Sequence, residues 1–235
     1  MNKTLKIVIE ILLALAAVGC VYGIYSSIMK PVNFNKEKAR RQEVAVQRLK
    51  DIRTLQVAFK GVNNRFTDSI DSLKMFYNEG KMDIIMQVGS NDDSLAVANT
   101  NKYKNDKAFK KLSKQEQNAK FMELYRKGEK LVFSISTPIA VKDTLFNNRP
   151  DFNIDSLKYI PFSGKQPVEM EAIVKTVSGV QVPLFEARMP WKALLKGMDN
   201  QLRINLDAEC RDQNRYEGLQ VGSVTNPNNN AGNWE

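Results

Sequence analysis

Histidine is absent from the 235 residues, and cysteine occurs only twice, at Cys20 and Cys210. Without imidazole there is no His-bearing zinc site, no metalloprotease helix motif and no catalytic triad built on histidine. Two cysteines, one of them inside an apolar run, cannot form a disulfide framework. Aromatics are sparse in the basic stretches, and the 35 Lys and Arg are spread along the chain rather than gathered into a stripe. A net charge of +9 therefore lacks the footprint of a nucleic-acid binder. A basic segment lying beside anionic lipid headgroups accounts for it more simply.

What is present is one long apolar run. Residues 1–6 form a short basic leader with Lys3 and Lys6, and residues 7–29 follow with a single charge, Glu10. That length suits a helix crossing a hydrocarbon core of about 30 Å at about 1.5 Å per residue. A cleaved signal would have a shorter core, whereas this run continues past Cys20. Residues 17–20, Ala-Val-Gly-Cys, resemble a lipobox, so Cys20 is a candidate lipidation site beside the retained single-pass helix. A carboxylate inside such a helix is costly and needs a partner. Lys6 is one turn away on the same face and can pair with Glu10 locally. Equally, Glu10 can meet a cation on a neighbouring subunit and set the register of packed helices. Lys30, Lys36, Lys38, Arg40 and Arg41 follow the span, and this positive-inside count favours a cytoplasmic C-terminal part.

Pro31 is expected to kink or break the helix just beyond the span. A charged helix over residues 33–61 then carries Ala45, Leu49, Ile52, Leu55 and Phe59 at three- and four-residue steps, one apolar stripe on a polar rod. Gly61 is expected to end it.

These features, in this order, resemble a type IV pilin-like protein, most closely the major pseudopilin of type II secretion. Glu10 stands four residues after the expected start of the mature segment, and Gly19 nine residues beyond the acid. A charged stretch over residues 35–42 leads to Phe59 and an Asn64-Arg65-Phe66 loop, then to a short helix with Leu73 and Phe76. The chain finishes on Gly232, Asn233, Trp234 and Glu235. Leu5 stands where the family has its processing glycine, and Lys6 where it has phenylalanine. The resemblance implies assembly of N-terminal helices, with Lys6 and Glu10 setting register and Gly19 allowing close approach. It implies an extracytoplasmic outer part, opposite to the charge count. The family often closes a calcium loop near its C-terminus, but the residues here are amides and no metal site is carried over.

The outer part divides by composition. Residues 62–130 are expected to be a helical and loop insertion, with the polar segment 90–111 as a mobile loop or a weakly ordered insertion. Asp92 and Asp93 form one acidic pair without a ligand series, too little for calcium. Ser113 and Glu116 make a capping box, and Gly128 closes the helix that follows. Residues 131–225 are expected to supply an antiparallel sheet, with strands over 131–137, 157–162, 168–177, 180–188, 202–206 and 219–224. Residues 168–188 form a hairpin about Gly179, and Pro190 opens a short helix. Trp191 is expected in the core. Trp234, in the Asn-rich tail 226–235, either clips that tail to the sheet or hangs free. Glu169, Glu171 and Glu186 alternate along the hairpin as a solvated face, and no nucleophile has a plausible base.

The expected fold is thus α+β, a transmembrane helix continuing into an amphipathic stalk packed on an antiparallel sheet. The expected role is a structural, non-enzymatic subunit or accessory component of a secretion or pilus-like apparatus in the inner membrane. It would need no cofactor or metal, and its partners would be other pilin-like subunits, platform proteins and lipid, in an oligomer. The alternative is a single-pass platform protein or lipoprotein whose outer domain binds partners.

Overall fold

The computed structural model describes residues 3–177 and 179–235, without the side chains of residues 3–6 and 8–10. In chain order it contains α1 (Lys3–Asn63), α2 (Ile70–Glu79), β1 (Lys81–Val88), α3 (Ser94–Asn105), α4 (Lys107–Lys110) and α5 (Lys114–Arg126). Then come β2 (Phe133–Ala140), α6 (Val141–Thr144), a 3-10 turn (Ile154–Lys158), β3 (Glu169–Val177), β4 (Val180–Pro190), α7 (Trp191–Leu194), α8 (Asn200–Asp212) and β5 (Gly218–Gly222). The chain divides into two compact units, one of Met1–Lys74 with Asn153–Glu235, the other Met75–Phe152.

In the first unit, α1 runs for 61 residues and continues through Pro31 instead of breaking there. Proline removes one amide donor and costs about 3 kcal/mol in a helix interior. Cooperative helix on both sides of it absorbs that cost. From Phe34 onward the helix has a buried face, on which Ala45, Leu49, Ile52 and Leu55 are fully enclosed. A sheet in the order β3-β4-β5, antiparallel throughout, meets this face. Phe185, Ala187 and Met189 alternate along β4 and are fully buried, as is Val221 on β5. The Phe185 ring lies 4.8 Å from Phe66, tilted by 53°. Each such side chain contributes about 1.5–3 kcal/mol by leaving water. Gly222, at φ +74°, ends β5 where a Cβ would sit 2.2 Å from the Phe185 carbonyl oxygen. Only glycine permits that turn against the neighbouring strand.

The expected hairpin forms, with Val177 opposite Val180 about Gly179 at φ +83°. Two expected strands do not. Residues 202–206 lie within α8, whose amides begin on the Asp199 side chain (Leu202 N to Oδ1, 3.0 Å). Their inward positions, Arg203, Asp207 and Cys210, follow a helical period. Residues 157–162 form the end of the 3-10 turn and one isolated bridge, Tyr159 to Pro167. Pro161 removes a donor there, and Phe162, Gly164 and Lys165 all have positive φ, which no ladder accommodates.

Gln56 is a fully buried polar residue on the α1 stripe. Its Nε2 donates to the Thr67 carbonyl, and its Oε1 accepts from the Thr67 amide at 3.1 Å. The side chain stands in for a strand partner and satisfies both backbone groups of the loop that follows α1.

The second unit holds its own two-stranded sheet, β1 against β2, running from Lys81 opposite Ala140 to Val88 opposite Phe133. The expected single sheet is therefore two, because β2 pairs with a strand contributed by the insertion. Phe109, Phe121 and Phe133 form its core with Val88 and Leu131. Their rings follow at 4.7 Å and 5.2 Å. The polar segment expected as a mobile loop is helical instead. Asp93 and Asp106 each accept two amides at a helix start, giving α3 and α4 their N-caps. The Ser113–Glu116 capping box opens α5 as expected, with Gly128 at φ +92° after its end.

Candidate functional site

Of the two halves of α1, the first leaves its described side chains exposed or half-exposed. Ile11 to Tyr25 expose their large side chains by 56–72%, and one stretch of this helix is long and apolar enough to cross a membrane. Ala17, Val18, Val21, Tyr22 and Tyr25 line a shallow apolar groove along one side. At 100° per residue, Gly19 and Gly23 fall on the opposite side, with open space around both. Cys20 is exposed. Lys6 and Glu10 lie on α1, but their side chains are outside the described residues.

Just beyond that stretch the helix is tied to the unit below. Glu37 accepts from Arg40 Nη2 at 2.7 Å and from Arg41 Nε at 2.8 Å. Arg41 Nη1 also donates to the carbonyls of Leu194 (3.1 Å) and Lys196 (2.9 Å). Both guanidinium groups lie about 5 Å from the Phe162 ring centre, 5.0 and 4.9 Å. The hydrogen bonds from Arg40 and then Arg41 hold the Glu37 carboxyl down to about 2.

The C-terminal tail is clipped rather than free. Val221 bridges Gly232, and Asn233 exchanges bonds with Gln220, N to O at 3.0 Å and back from Gln220 N to Oδ1 at 3.1 Å. Arg53 on α1 reaches Glu235 Oε1 at 2.7 Å and the Asn230 carbonyl at 3.3 Å. Trp234 turns over Gly232, where a Cβ would be 2.3 Å from the ring. Trp191 is buried, as its place on the short helix predicts.

Among the described residues, two hollows of this unit are lined by ionisable side chains. One, of about 580 Å³, is lined by Lys192, Arg203, Asp207, Arg215, Tyr216 and Glu217. Asp207 is buried and bonded to Arg203, yet its Oδ1 has no partner. Burial raises its pKa against the pull of Arg203. The second, of about 200 Å³, lies between Trp191, Cys210, Tyr216 and Trp234. Among the described residues no group of three metal-ligating side chains forms. Of the hairpin acids, Glu169 and Glu171 are exposed, but Glu186 is buried, contrary to a solvated face. Arg188 at 3.1 Å and the Val224 amide at 3.3 Å neutralise it, so it fastens β5 to β4.

Burial, and next the Glu169 charge, push the Tyr216 phenol up to about 12. The unfolded chain gives up this proton near its ordinary value of about 10. Stability is therefore untouched below that pH and falls as pH rises through the interval to about 12. Tyr216→Phe is expected to flatten this alkaline limb by on the order of 2 kcal/mol, measured by denaturant unfolding at pH 9 and 11.5.

No protein family, curated protein or solved structure matches the chain.

Proposed function

We propose that this chain is a structural, pilin-like subunit or accessory component of an envelope secretion or pilus-like apparatus. In this reading α1 anchors it in the cytoplasmic membrane and packs against the helices of other subunits, with the rest of the chain extracytoplasmic. One observation carries it. A single continuous helix is bare and apolar over its first half and built into a folded unit over its second. A bare apolar helix fixed to a folded body needs lipid or other helices around it. Glu10 would then meet a cation, either Lys6 or one on the adjoining helix, and Gly19 would let two backbones approach.

The exposed Cys20 provides the test. Crosslinking of Cys20 between copies in native membranes is expected, and Glu10→Ala is expected to reduce its yield at least several-fold. Unchanged crosslinking in Glu10→Ala would remove the register role. The intact mass of the extracted protein adds a separate result. A diacylglycerol adduct at Cys20 would favour the lipoprotein reading over a helix packed in the membrane.

A further inference from the structure

The hollow of about 580 Å³ is built by the return of the chain from α8 to β5. Asn214, at φ +52°, turns the chain, and the Arg215 amide closes α8 on the Cys210 carbonyl at 2.8 Å. Two residues later the Glu217 carbonyl accepts the Trp191 amide at 2.9 Å. This path brings residues 215–217 to one hollow with Arg203 and Asp207 of α8 and Lys192 of α7.

The charges around that hollow are not all matched. Arg203 is engaged by Asp207 Oδ2 and by Asn200 Oδ1, which accepts from its Nη2 at 2.8 Å. Arg211 holds Glu217 at 2.9 Å. Lys192 and Arg215 are exposed, and among the described residues neither side chain has an acceptor. Asp207 presents the opposite case. Its side chain is only 9% exposed, and its Oδ1 accepts no hydrogen bond. A buried acceptor left bare in this way costs about 1–3 kcal/mol, which a ligand donor would recover. Arg203 already neutralises this carboxylate, so an ammonium would sit beside a guanidinium. A neutral hydroxyl suits the oxygen better.

We propose that this hollow binds a phosphate monoester with a hydroxyl on a neighbouring carbon, as in a polyol or sugar phosphate. The phosphoryl group carries about 1.5–2 negative charges at neutral pH and takes both Lys192 and Arg215. Arginine can meet two of its oxygens at once. The hydroxyl donates to Asp207 Oδ1. A lone carboxylate would leave one of the two cations unmatched. The size suits a small molecule, for which sites of roughly 300–1,000 Å³ are usual.

This site goes beyond the packing of α1 and does not depend on it. It is tested by equilibrium dialysis of labelled glycerol 3-phosphate against the full chain in non-ionic detergent and phosphate-free buffer. The chain is expected to retain the label. Propyl phosphate, of equal charge but without a hydroxyl, should compete about tenfold less well than unlabelled glycerol 3-phosphate. That comparison leaves the buried Asp207 in place. Lys192→Gln and Arg215→Gln should each weaken retention about tenfold. Both side chains are exposed, so the denaturant midpoint should stay unchanged. Lys50→Gln, an exposed lysine of the same unit away from the hollow, should retain the label fully. No retention, equal competition by propyl phosphate, or a loss in Lys50→Gln as deep as in Arg215→Gln would each overturn the proposal. Two further competitors separate other ligands. Glycerophosphoglycerol, a phosphodiester lipid headgroup with a single charge, and acetyl-alanyl-alanine, a peptide carboxylate, should both compete more weakly. Stronger competition by either would overturn the monoester assignment.

Discussion

A chain lacking residues 1–29 is expected to leave the membrane entirely. Full-length protein should remain in the pellet after alkaline carbonate extraction, and the truncated chain should appear in the supernatant. The argument rests on where the burial begins. Up to residue 33 the described side chains of α1 are exposed or half-exposed, and Phe34 is the first enclosed by the folded unit. The truncation therefore takes nothing from the core. A milder variant separates hydrophobic anchoring from loss of length. Val18 lies near the middle of the apolar run, where an arginine costs about 2.5–3.5 kcal/mol in membrane insertion. Val18→Arg should thus lower the membrane-inserted fraction by on the order of a hundredfold if insertion is near balance. A truncated chain that resisted carbonate would show that something other than α1 holds the protein.

Phe185→Ala is expected to be the most damaging single core substitution, at about 3–5 kcal/mol. Phe185 is fully buried at the centre of β4, against Phe66 from the loop after α1, and its own carbonyl lies where Gly222 turns. Its removal leaves a hole bordered by the helix, the loop and two strands, which cannot all close on it together. A loss of this size is a large part of an ordinary domain's stability. Denaturant unfolding of the detergent-solubilised chain, followed by tryptophan fluorescence, should show the midpoint fall steeply with little change in slope. Phe185→Leu should restore more than half of the loss, since most of the volume returns. A midpoint within error of the parent would mean that the sheet does not depend on this contact.

Much of the fold was legible because the relevant signals are local. Ala45, Leu49, Ile52 and Leu55 declare their face by spacing alone, and all four are enclosed. Gly179 marked the hairpin, and Ser113 with Glu116 marked the start of α5. Strand β1 was missed because Ile84, Ile85 and Met86 run together without alternation, as suits a ribbon exposed on both faces. Asp93 and Asp106 were present as helix caps, but the polarity around them obscured their placement. Gln56 could not be foreseen, because its partner is a loop backbone.

The same physical limit applies to the candidate site. An apolar helix long enough for a membrane is visible in composition. Gly19 and Cys20 lie on its exposed surface. The contacts that fix this helix to the folded unit come from residues far apart in the chain. Arg41 meets carbonyls more than 150 positions later, and Arg53 meets Glu235. Nothing near either arginine in the sequence marks it as a clamp.

The first unit is made from both ends of the chain, Met1–Lys74 and Asn153–Glu235, with the second unit's residues between them. This arrangement imposes an order on synthesis. The stripe of α1 leaves the ribosome long before β4 and β5, the strands that cover it. In the interval the second unit, which is one continuous segment, is expected to fold by itself. The α1 stripe meanwhile stays uncovered. A nascent chain stalled before Phe185 should therefore yield a protease-resistant second unit and a digestible helix. Any factor that binds exposed apolar helices has its opportunity in that interval.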